Sequence, residues 1–378
     1  MPDIIDLFAG TGGLSLGAAR AGFNLKAAVE KDSTALYSHR LNFPGCKHLD
    51  ADIGKLKGKD LLSASKIKNG ELSGLIGGPP CQGFSIMGRQ LKDDHRNNLF
   101  AHFFRLVNET RPSFFVAENV PGILNENYDD LRKAAFTQVE SDYALLDPFF
   151  VKASDYGAPT IRKRVFFIGY DPKRISVLTA EDFRPTEETE ATTVEKALRG
   201  LPETISSDWL KEEDGWHTTV KKTDSVFMRK IVGEIPEGVG NENALKRYTD
   251  KSEVSSCQGT RHTPEVQERY RKLARGKQDK ISKSVKLDPK GYCPTLRAGT
   301  GSDKGSYQAV RPIHHNEPRV ITPREAARLQ GFPDWFVFHP TKWHSFRQIG
   351  NSVSPIVAEY LLKIIFDSLG DRKPIASV

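Results

Sequence analysis

This 378-residue chain has little of the sequence chemistry that marks secreted or metal-binding proteins. It has four cysteines, which are scattered along the sequence as Cys46, Cys81, Cys257 and Cys293. No two of them have the C-x-x-C spacing of a zinc site, and their number and spacing do not suggest a disulfide framework. We therefore expect free thiols in a reducing compartment and no bound metal.

Long hydrophobic runs are also missing. The most apolar stretch, residues 356–366, is interrupted by Glu359 and Lys363, and it is shorter than the roughly 18 residues of a membrane span. Residues 1–6 contain two aspartates and run directly into a predicted strand, so we expect no signal peptide. These absences favour a cytoplasmic protein without a membrane partner.

Acidic residues are fewer than basic ones, and the formal net charge is +7. Residues 269–290 carry nine basic side chains and two acidic ones, whereas residues 181–214 are predominantly acidic. A solvated surface is the ordinary explanation of such a basic run. Its concentration in one region also favours a surface that faces nucleic-acid phosphates.

The first 170 residues alternate short apolar segments with helical ones. Predicted strands lie at 4–8, 25–29, 75–76, 114–117, 149–152 and 165–170. A helix is predicted over 14–21, with Gly22 as its carboxyl cap. Strands alternating with helices predict an α/β fold with a mostly parallel, doubly wound, Rossmann-like sheet, in which the last two strands form a hairpin.

Beyond this region the pattern changes twice. From 171 to 318 the alternation fades and prolines and glycine clusters interrupt it. Regular structure returns with a capping box, in which Thr322 precedes Pro323 and Glu325. A last amphipathic helix begins at 354–355, and we expect its apolar face to cover the sheet of the first region.

The length of the chain favours two domains, because single hydrophobic cores stop growing at about 250–300 residues. We predict a main domain formed by residues 1–170 and 319–378. Residues 171–318 are predicted to form a second, smaller and irregular domain.

A glycine-rich turn, Phe8-Ala9-Gly10-Thr11-Gly12-Gly13, follows the first predicted strand. Glycines let the backbone approach a ligand closely, and Glu30 ends the next strand, where a carboxylate can accept from ribose hydroxyls. The glycines lack G-x-G-x-x-G spacing, which favours a nucleoside such as S-adenosylmethionine over a dinucleotide. Asp52, at a later strand end, is placed to hold an adenine amine. Alone, such glycines more often form only a turn.

A cysteine stands where another buried strand ends, in the sequence Pro79-Pro80-Cys81-Gln82. The prolines stop the strand, so the thiol lies on a rigid turn at the sheet edge where ligands of open α/β folds bind. Glu118 closes a further strand at that edge. Taken alone, a cysteine in this position is more often a small buried apolar residue than a nucleophile. A glutamate in this position is as often a solvent-exposed strand end as a functional group.

Arg162 and Arg164 stand before the strand predicted at 165–170. Their spacing places two cations on one face of an extended segment. An exposed basic turn is the equally simple interpretation.

Six motifs in this order resemble those of the DNA cytosine-5 methyltransferases. They are residues 6–13, 78–85, Glu118-Asn119-Val120, Arg162-x-Arg164, the 322–333 helix and Gln348-Ile349-Gly350-Asn351-Ser352-Val353. The resemblance covers about 1–170 and 319–378, and it implies that the segment between them is the family's target-recognition domain. It implies methyl transfer from S-adenosylmethionine to carbon 5 of a flipped-out cytosine in a specific duplex DNA sequence, as the modification half of a bacterial restriction-modification system.

The resemblance also implies roles for individual residues. Cys81 would add to carbon 6 of cytosine as a thiolate, an example of covalent catalysis. Glu118 would contact ring nitrogen 3 and the exocyclic amine, and Arg164 would bind the carbonyl oxygen with support from Arg162. The cofactor would be held by Phe8, Ala9, Gly10, Thr11, Gly12, Gly13, Glu30, Asp52, Ile53, Pro80, Leu99, Asn351 and Ser352.

Contacts to DNA are expected from two sources. The segment after Cys81 contains Ser85, Arg89 and Arg96, and we expect it to be a mobile loop that closes over the flipped base. Base reading is expected from the segments 258–261 and 296–301, which contribute Arg261 and Arg297.

Two residues depart from the family pattern. Thr160 stands where the family usually has glutamine, which affects how the two arginines are oriented. Lys31 stands where an aromatic residue often follows the ribose-binding acid, which suggests a looser adenine pocket.

Three interpretations of function remain to be compared. Methylation of duplex DNA is the leading one, methylation of a structured RNA is a sibling activity, and a DNA-binding regulator with an inactive fold is the third. The long middle segment argues against RNA, and the presence of Cys81, Glu118 and Arg164 argues against the regulator. We expect a monomer associated with the nucleoid, with a cognate restriction endonuclease as a further partner.

Overall fold

A computed structural model of the chain describes residues 1–80, 98–205, 215–233, 235–299 and 311–370. Cys81, Ser85, Arg89 and Arg96 lie outside the described residues, together with the loop expected after Cys81. Their roles stay predictions.

Eight strands of the described chain form one mixed sheet. They are β1 (Asp3–Leu7), β2 (Asn24–Val29), β3 (Lys47–Leu49), β4 (Gly74–Gly77), β5 (Phe114–Asn119), β6 (Ala144–Leu145), β7 (Phe149–Lys152) and β8 (Lys163–Tyr170). The order is β3-β2-β1-β4-β5-β8-β6, with β7 also paired to β8. Strands β3 to β5 are parallel and β8 runs antiparallel to its neighbours, which confirms the α/β prediction and the β7–β8 hairpin.

Helices connect these strands. The first five are α1 (Gly13–Ala21), α2 (Ser33–Asn42), α3 (Gly58–Ala64), α4 (Asn98–Thr110) and α5 (Asp129–Phe136). Gly22 caps α1 with φ 104°, in the left-handed region that favours glycine. The chain order changes direction between β1 and β4, so the carboxyl edge there is the place where ligands of such sheets bind.

Strand β5 is longer than the sequence pattern indicates. It continues through Glu118 and Asn119, which pair with Phe166 and Val165 of β8. The strand predicted at 114–117 therefore continues for two more residues, and Glu118 lies within it. Pairing with β8 extends the strand beyond its apolar run.

Residues 171–318 have shorter elements. They are α6 (Val194–Leu198), β9 (His217–Thr218), α7 (Val226–Val232), α8 (Glu242–Lys251), β10 (Glu253–Val254) and α9 (Pro264–Lys272). One buried apolar cluster includes Ile4 and Phe114 of the sheet together with Phe227 and Tyr248 of this region. The division into two domains stays a prediction, and the apolar core is continuous across its boundary.

Three helices complete the described chain: α10 (Pro323–Gln330), α11 (Lys342–Asn351) and α12 (Pro355–Gly370). The capping box at α10 is confirmed, since Thr322 Oγ1 accepts from the Glu325 N–H at 3.1 Å while Glu325 Oε2 accepts from the Thr322 N–H at 2.7 Å. Helix α12 folds back onto the first region, as expected. It packs chiefly against α1. The two helices are in close contact at Gly17, where an added Cβ atom would lie 2.3 Å from the Cβ of Ala358.

The stretch Lys342–Leu369 is long and apolar enough to cross a membrane. However, 61% of its most apolar 18 residues are buried inside the fold. The stretch also comprises two helices, α11 and α12, with a break between them. Burial of this kind is typical of a core helix.

Candidate active site at the carboxyl edge of the sheet

Four parallel strands bring the predicted site residues to one edge. Leu7, the last residue of β1, pairs with Val29 of β2 and with Gly77 of β4, and Gly77 pairs with Ala117 of β5. Each of these strand positions is followed by a predicted site feature: the glycine-rich turn after Leu7, Glu30 after Val29, the Pro79-Pro80 turn after β4, and Glu118 after Ala117. The structure thus gathers residues that are separated by more than a hundred positions in the sequence.

The turn after β1 is sharply bent. Phe8, Gly10 and Gly12 have φ values of 59°, 57° and 103°. At Gly12 a side chain has no room, because a Cβ atom would lie 2.4 Å from the Phe43 ring. At Gly10 nothing lies within 4 Å of the corresponding position, so that face of the turn is open to a ligand.

Glu30 holds this turn in place. Its Oε2 accepts from the Gly10 N–H at 2.9 Å and its Oε1 accepts from the Asp32 N–H at 2.8 Å. Burial raises the pKa of Glu30. Each oxygen keeps a further lone pair, so the oriented carboxylate can still accept from a pair of hydroxyl groups.

Asp52 lies in the turn after β3, whose last residue, Leu49, accepts from the Glu30 N–H at 3.1 Å. Its Oδ2 is 2.8 Å from Lys31 Nζ, and its Oδ1 accepts from the Gly54 N–H at 3.0 Å. The bond from Lys31 lowers the pKa of Asp52. Arg105 of α4 fixes the same turn by donating to the carbonyls of Ile53 and Leu56, each at 2.9 Å.

Glu118 and Arg164 form an ion pair across β5 and β8. Arg164 Nε lies 2.6 Å from Glu118 Oε1, and the two side chains are 16% and 11% exposed. A Cβ atom at Gly78 would lie 3.2 Å from Glu118 Oε2. The chain that leads to Pro79-Pro80-Cys81 therefore passes directly beside this carboxylate. Asn119 Nδ2 also donates to the Pro79 carbonyl at 3.4 Å.

Arg162 does not join that ion pair. It is 3% exposed and donates to the carbonyls of Leu296 at 3.2 Å, Gly350 at 2.9 Å and Asn351 at 3.2 Å. The guanidinium thus binds the backbone of two distant segments. Thr160, where the family usually has glutamine, is fully buried, and its segment is joined to Cys293 by the 3.0 Å bond from the Ile161 N–H.

Asn351 and Ser352 end α11 beside the glycine-rich turn. A Cβ atom at Gly13 would lie 2.3 Å from the Val353 carbonyl oxygen and 3.2 Å from the Ser352 Cβ. Gln330 of α10 donates to the Ser352 carbonyl at 2.8 Å. The structure therefore brings Ser352, which directly follows Asn351, against the start of α1.

The two segments predicted to read bases both contact α11. At its first residue, Lys342 Nζ donates to the Gly259 carbonyl at 2.5 Å. Near its end, a Cβ atom at Gly350 would lie 2.5 Å from the carbonyl carbon of Arg297. Arg261 and Arg297 are both exposed. Residues 300–310 lie outside the described part of the chain.

The basic run at 269–290 is only partly available to phosphates. Lys286 is 7% exposed and donates to the Tyr270 carbonyl at 3.0 Å, so this lysine of the run is used inside the fold and does not face phosphates. Arg269 pairs with Asp279 at 2.9 Å. The number of basic residues in a segment does not show which of them form hydrogen bonds or ion pairs within the fold.

A buried polar chain beneath the turn was not predicted. Ser15 Oγ donates to Asp6 Oδ2 at 2.5 Å and lies 3.0 Å from His39 Nε2, and His39 Nδ1 lies 2.9 Å from His48 Nε2. Burial raises the pKa of Asp6 to about 7 and lowers that of His48 to about 4. The four residues have no common spacing, so no sequence signal could have grouped them.

Known proteins resemble this chain over nearly its whole length. Residues 3–367 match the family described as C-5 cytosine-specific DNA methylase. The type II methyltransferase M.XorII of Xanthomonas oryzae pv. oryzae is 39% identical over 362 residues, which cover 94% of this chain and 82% of that protein. The type II methyltransferase M.DdeI of Desulfomicrobium norvegicum is 33% identical over 386 residues, which cover 96% and 88%.

Solved structures agree with these matches. A candidate DNA modification methyltransferase encoded within an E. coli prophage has a TM-score of 0.88 at 50% identity, covering 98% of this chain and 100% of its own. The Dnmt2 methyltransferase of S. pombe has a TM-score of 0.61 at 17% identity, covering 98% and 99%. At that identity the second match shows likeness of fold alone.

Proposed function

This chain belongs to the C-5 cytosine-specific DNA methylase family, and from that premise we propose that it methylates cytosine at carbon 5 within a specific duplex DNA sequence through Cys81. The observation that carries the proposal is the ion pair between Glu118 and Arg164, 2.6 Å long, beside the chain that leads to Cys81. A nucleophile next to an oriented acid and a cation is what cytosine activation requires.

The residues at the glycine-rich turn fit S-adenosylmethionine. Gly10 leaves open space and Glu30 presents an oriented carboxylate to ribose hydroxyls. Asp52 would hold the adenine amine, and Asn351 and Ser352 would approach from the end of α11. When bound, the cofactor supplies an electrophilic methyl group.

The protein's part in the chemistry is to make the ring nucleophilic. Carbon 5 of cytosine is a weak nucleophile, and addition of the Cys81 thiolate to carbon 6 converts the ring into an enamine-like one. Glu118 contacts nitrogen 3 and the amine, and Arg164 stabilises charge on the carbonyl oxygen. Carbon 5 would then take the methyl group, with S-adenosylhomocysteine as the leaving product, and loss of the carbon 5 proton to a base would break the sulfur–carbon 6 bond and free Cys81. Arg162 positions the surrounding backbone.

The first prediction concerns Cys81. Duplex DNA incubated with tritiated S-adenosylmethionine should become labelled, and Cys81→Ala should reduce labelling more than about a thousandfold because the nucleophile is lost. The matched control is Cys46→Ser, which should retain activity because burial raises the pKa of the Cys46 thiol and keeps it protonated. Duplex DNA with 5-fluorocytosine should trap a denaturation-resistant adduct with wild type and with Cys46→Ser, but not with Cys81→Ala.

The other outcomes separate the alternatives. Labelling of structured RNA instead of duplex DNA would identify the sibling activity. DNA binding without labelling of either nucleic acid would identify a regulator and contradict the proposal. Cys81→Ala as active as Cys46→Ser would remove the covalent mechanism while leaving methyl transfer in place.

The relatives also support a biological context. Because M.XorII and M.DdeI are type II methyltransferases, we assign this chain to the modification half of a restriction-modification system, with residues 171–318 as the target-recognition domain. Bisulfite sequencing of DNA exposed to the enzyme should show methylation confined to one short sequence. Methylation without a shared sequence would contradict that assignment.

A further inference from the structure

Lys31 occupies an unusual position at the edge of the sheet. It follows Glu30 at the end of β2, and its side chain extends toward the next strand, where Nζ lies 2.8 Å from Asp52 Oδ2. The Lys31 side chain is 72% exposed and that of Asp52 is 32% exposed. The pair therefore lies at the surface of the site and can open without disturbing the core.

The acceptor that Lys31 uses is the one that a ligand would need. Asp52 Oδ1 faces its own turn and accepts from the Gly54 N–H at 3.0 Å, while Arg105 holds that turn in place. Oδ2 is thus the oxygen directed away from the turn. The Glu30 N–H donates to the Leu49 carbonyl at 3.1 Å, so β2 and β3 end side by side, and the Lys31 side chain bridges them.

We propose that Lys31 tunes purine recognition by competing with the adenine amine for Asp52. The inference rests on the proposed function, in which Asp52 accepts from adenine. A bound adenine, whose amine is a neutral donor, must share Asp52 Oδ2 with the charged Lys31 donor or displace it. Because an exposed ion pair contributes little, the competition should weaken binding by only about two- to fivefold in dissociation constant.

The same geometry predicts an opposite effect on a purine that carries a carbonyl group in place of the amine. Such a group is an acceptor, which Asp52 cannot bind but the Lys31 ammonium can. Lys31 should therefore disfavour the adenine form and favour the 6-oxopurine form. Asp52 makes the site bind adenine more tightly than a 6-oxopurine, and Lys31 would reduce that difference in affinity.

The test measures binding to the whole chain by titration calorimetry in 50 mM salt. S-Adenosylhomocysteine should bind Lys31→Met about two- to fivefold more tightly than wild type, because the ammonium is gone and the stem remains. S-Inosylhomocysteine should bind the same variant more weakly. The difference for S-adenosylhomocysteine should shrink in 500 mM salt, because salt screens the Lys31–Asp52 pair in wild type.

The matched control is Lys26→Met. Lys26 lies within β2, near the end opposite to Lys31, and its Nζ is 3.9 Å from Asp3 Oδ2. This substitution removes the same charge at a distance from the site, so both ligands should bind as in wild type. An equal effect of the two substitutions would show that net charge alone is responsible and would overturn the inference.

Two further outcomes would overturn it. Weaker binding of S-adenosylhomocysteine to Lys31→Met would show that Lys31 supports the adenine, and unchanged binding of both ligands would show that it has no role. Either result leaves the proposed function intact. If wild type binds neither ligand, the proposed cofactor site itself is wrong.

Discussion

Three carboxylates surround the glycine-rich turn, and each is satisfied differently. Glu30 accepts from two backbone N–H groups, Asp52 pairs with Lys31, and Asp6 accepts from Ser15 with only one of its oxygens. Asp6 Oδ1 is buried and has no hydrogen-bond partner within the described structure. An acid in that situation is more stable in its protonated form.

The protonation of Asp6 should make the stability of the protein depend on pH. Since burial raises the folded-state pKa of Asp6 from 3.8 to about 7, the native state retains a proton that the unfolded state releases between these values. The stability contributed by protonated Asp6 is full below pH 3.8 and is lost as the pH rises through about 7. Asp6→Asn mimics the protonated form and should remove this loss, on the order of 1.4 kcal/mol for each unit by which the two pKa values differ.

Urea unfolding at pH 4.5 and pH 7.5 provides the measurement. The free energy of unfolding should fall between the two pH values more in wild type than in Asp6→Asn. Asp3→Asn, at the half-exposed start of the same strand, is the control and should follow wild type. Parallel pH profiles for wild type and Asp6→Asn would contradict the raised pKa.

At the scale of elements, helix α11 connects the two segments that are expected to read DNA. Lys342 binds the 258–261 segment at one end and Gly350 meets the Arg297–Ala298 peptide at the other. These two residues are about 12 Å apart along the helix axis. Arg162 then ties the same end of α11 to β8, which carries Arg164.

Substitution of Gly350 by alanine would test the close contact between α11 and the 296–298 segment. Alanine normally favours a helix over glycine by about 1 kcal/mol, but here its Cβ would lie 2.5 Å from backbone atoms that cannot easily move. We expect the clash to dominate and to lower stability by about 1–3 kcal/mol. Displacement of residues 296–298 should also weaken the binding of the protein to DNA that contains its methylation sequence.

The control for this variant is Gly45→Ala, where nothing lies within 4 Å of the new Cβ. Urea unfolding and DNA titration should show wild-type behaviour for Gly45→Ala. If Gly350→Ala is at least as stable as Gly45→Ala and binds DNA at least as tightly, the close contact between α11 and the 296–298 segment does not constrain the fold.

At the scale of the whole molecule, buried arginines join the two predicted domains. Arg328 of α10 is fully buried and pairs with Asp334 at 2.6 Å. It also donates to the Arg199 carbonyl at 2.6 Å. Arg324, equally buried, donates to the Ser255 carbonyl at 2.9 Å. The continuous apolar core and these bonds predict one cooperative unfolding transition.

Arg328→Ala should therefore destabilise the entire molecule. It leaves Asp334 buried without its charge partner, which costs about 3–5 kcal/mol, and the single transition should move to lower temperature without splitting. Lys363→Ala is the control, since its pair with Asp367 is about half exposed and contributes about 0.3–0.5 kcal/mol. Circular dichroism on heating would detect both effects, and two separate transitions in wild type would contradict the shared core.

Several elements of the fold and the motifs at the site could be predicted from local features of the sequence. Strands β1, β2, β7 and β8 and the capped helix α10 were predictable because apolar spacing, caps and glycines act within a few residues. The order of the motifs identified the family because each motif is local and readable in one dimension. The roles assigned to Cys81 and its neighbours stay predictions.

The contacts that those side chains make depend on long-range packing. Arg162 and Arg164 look equivalent in the sequence, yet one binds distant carbonyls and the other pairs with Glu118. Lys286 is buried and Lys31 reaches Asp52, and neither fact has a local signal. Such contacts join residues far apart in the chain, and burial and hydrogen bonding between them exist only once the strands and helices have packed together.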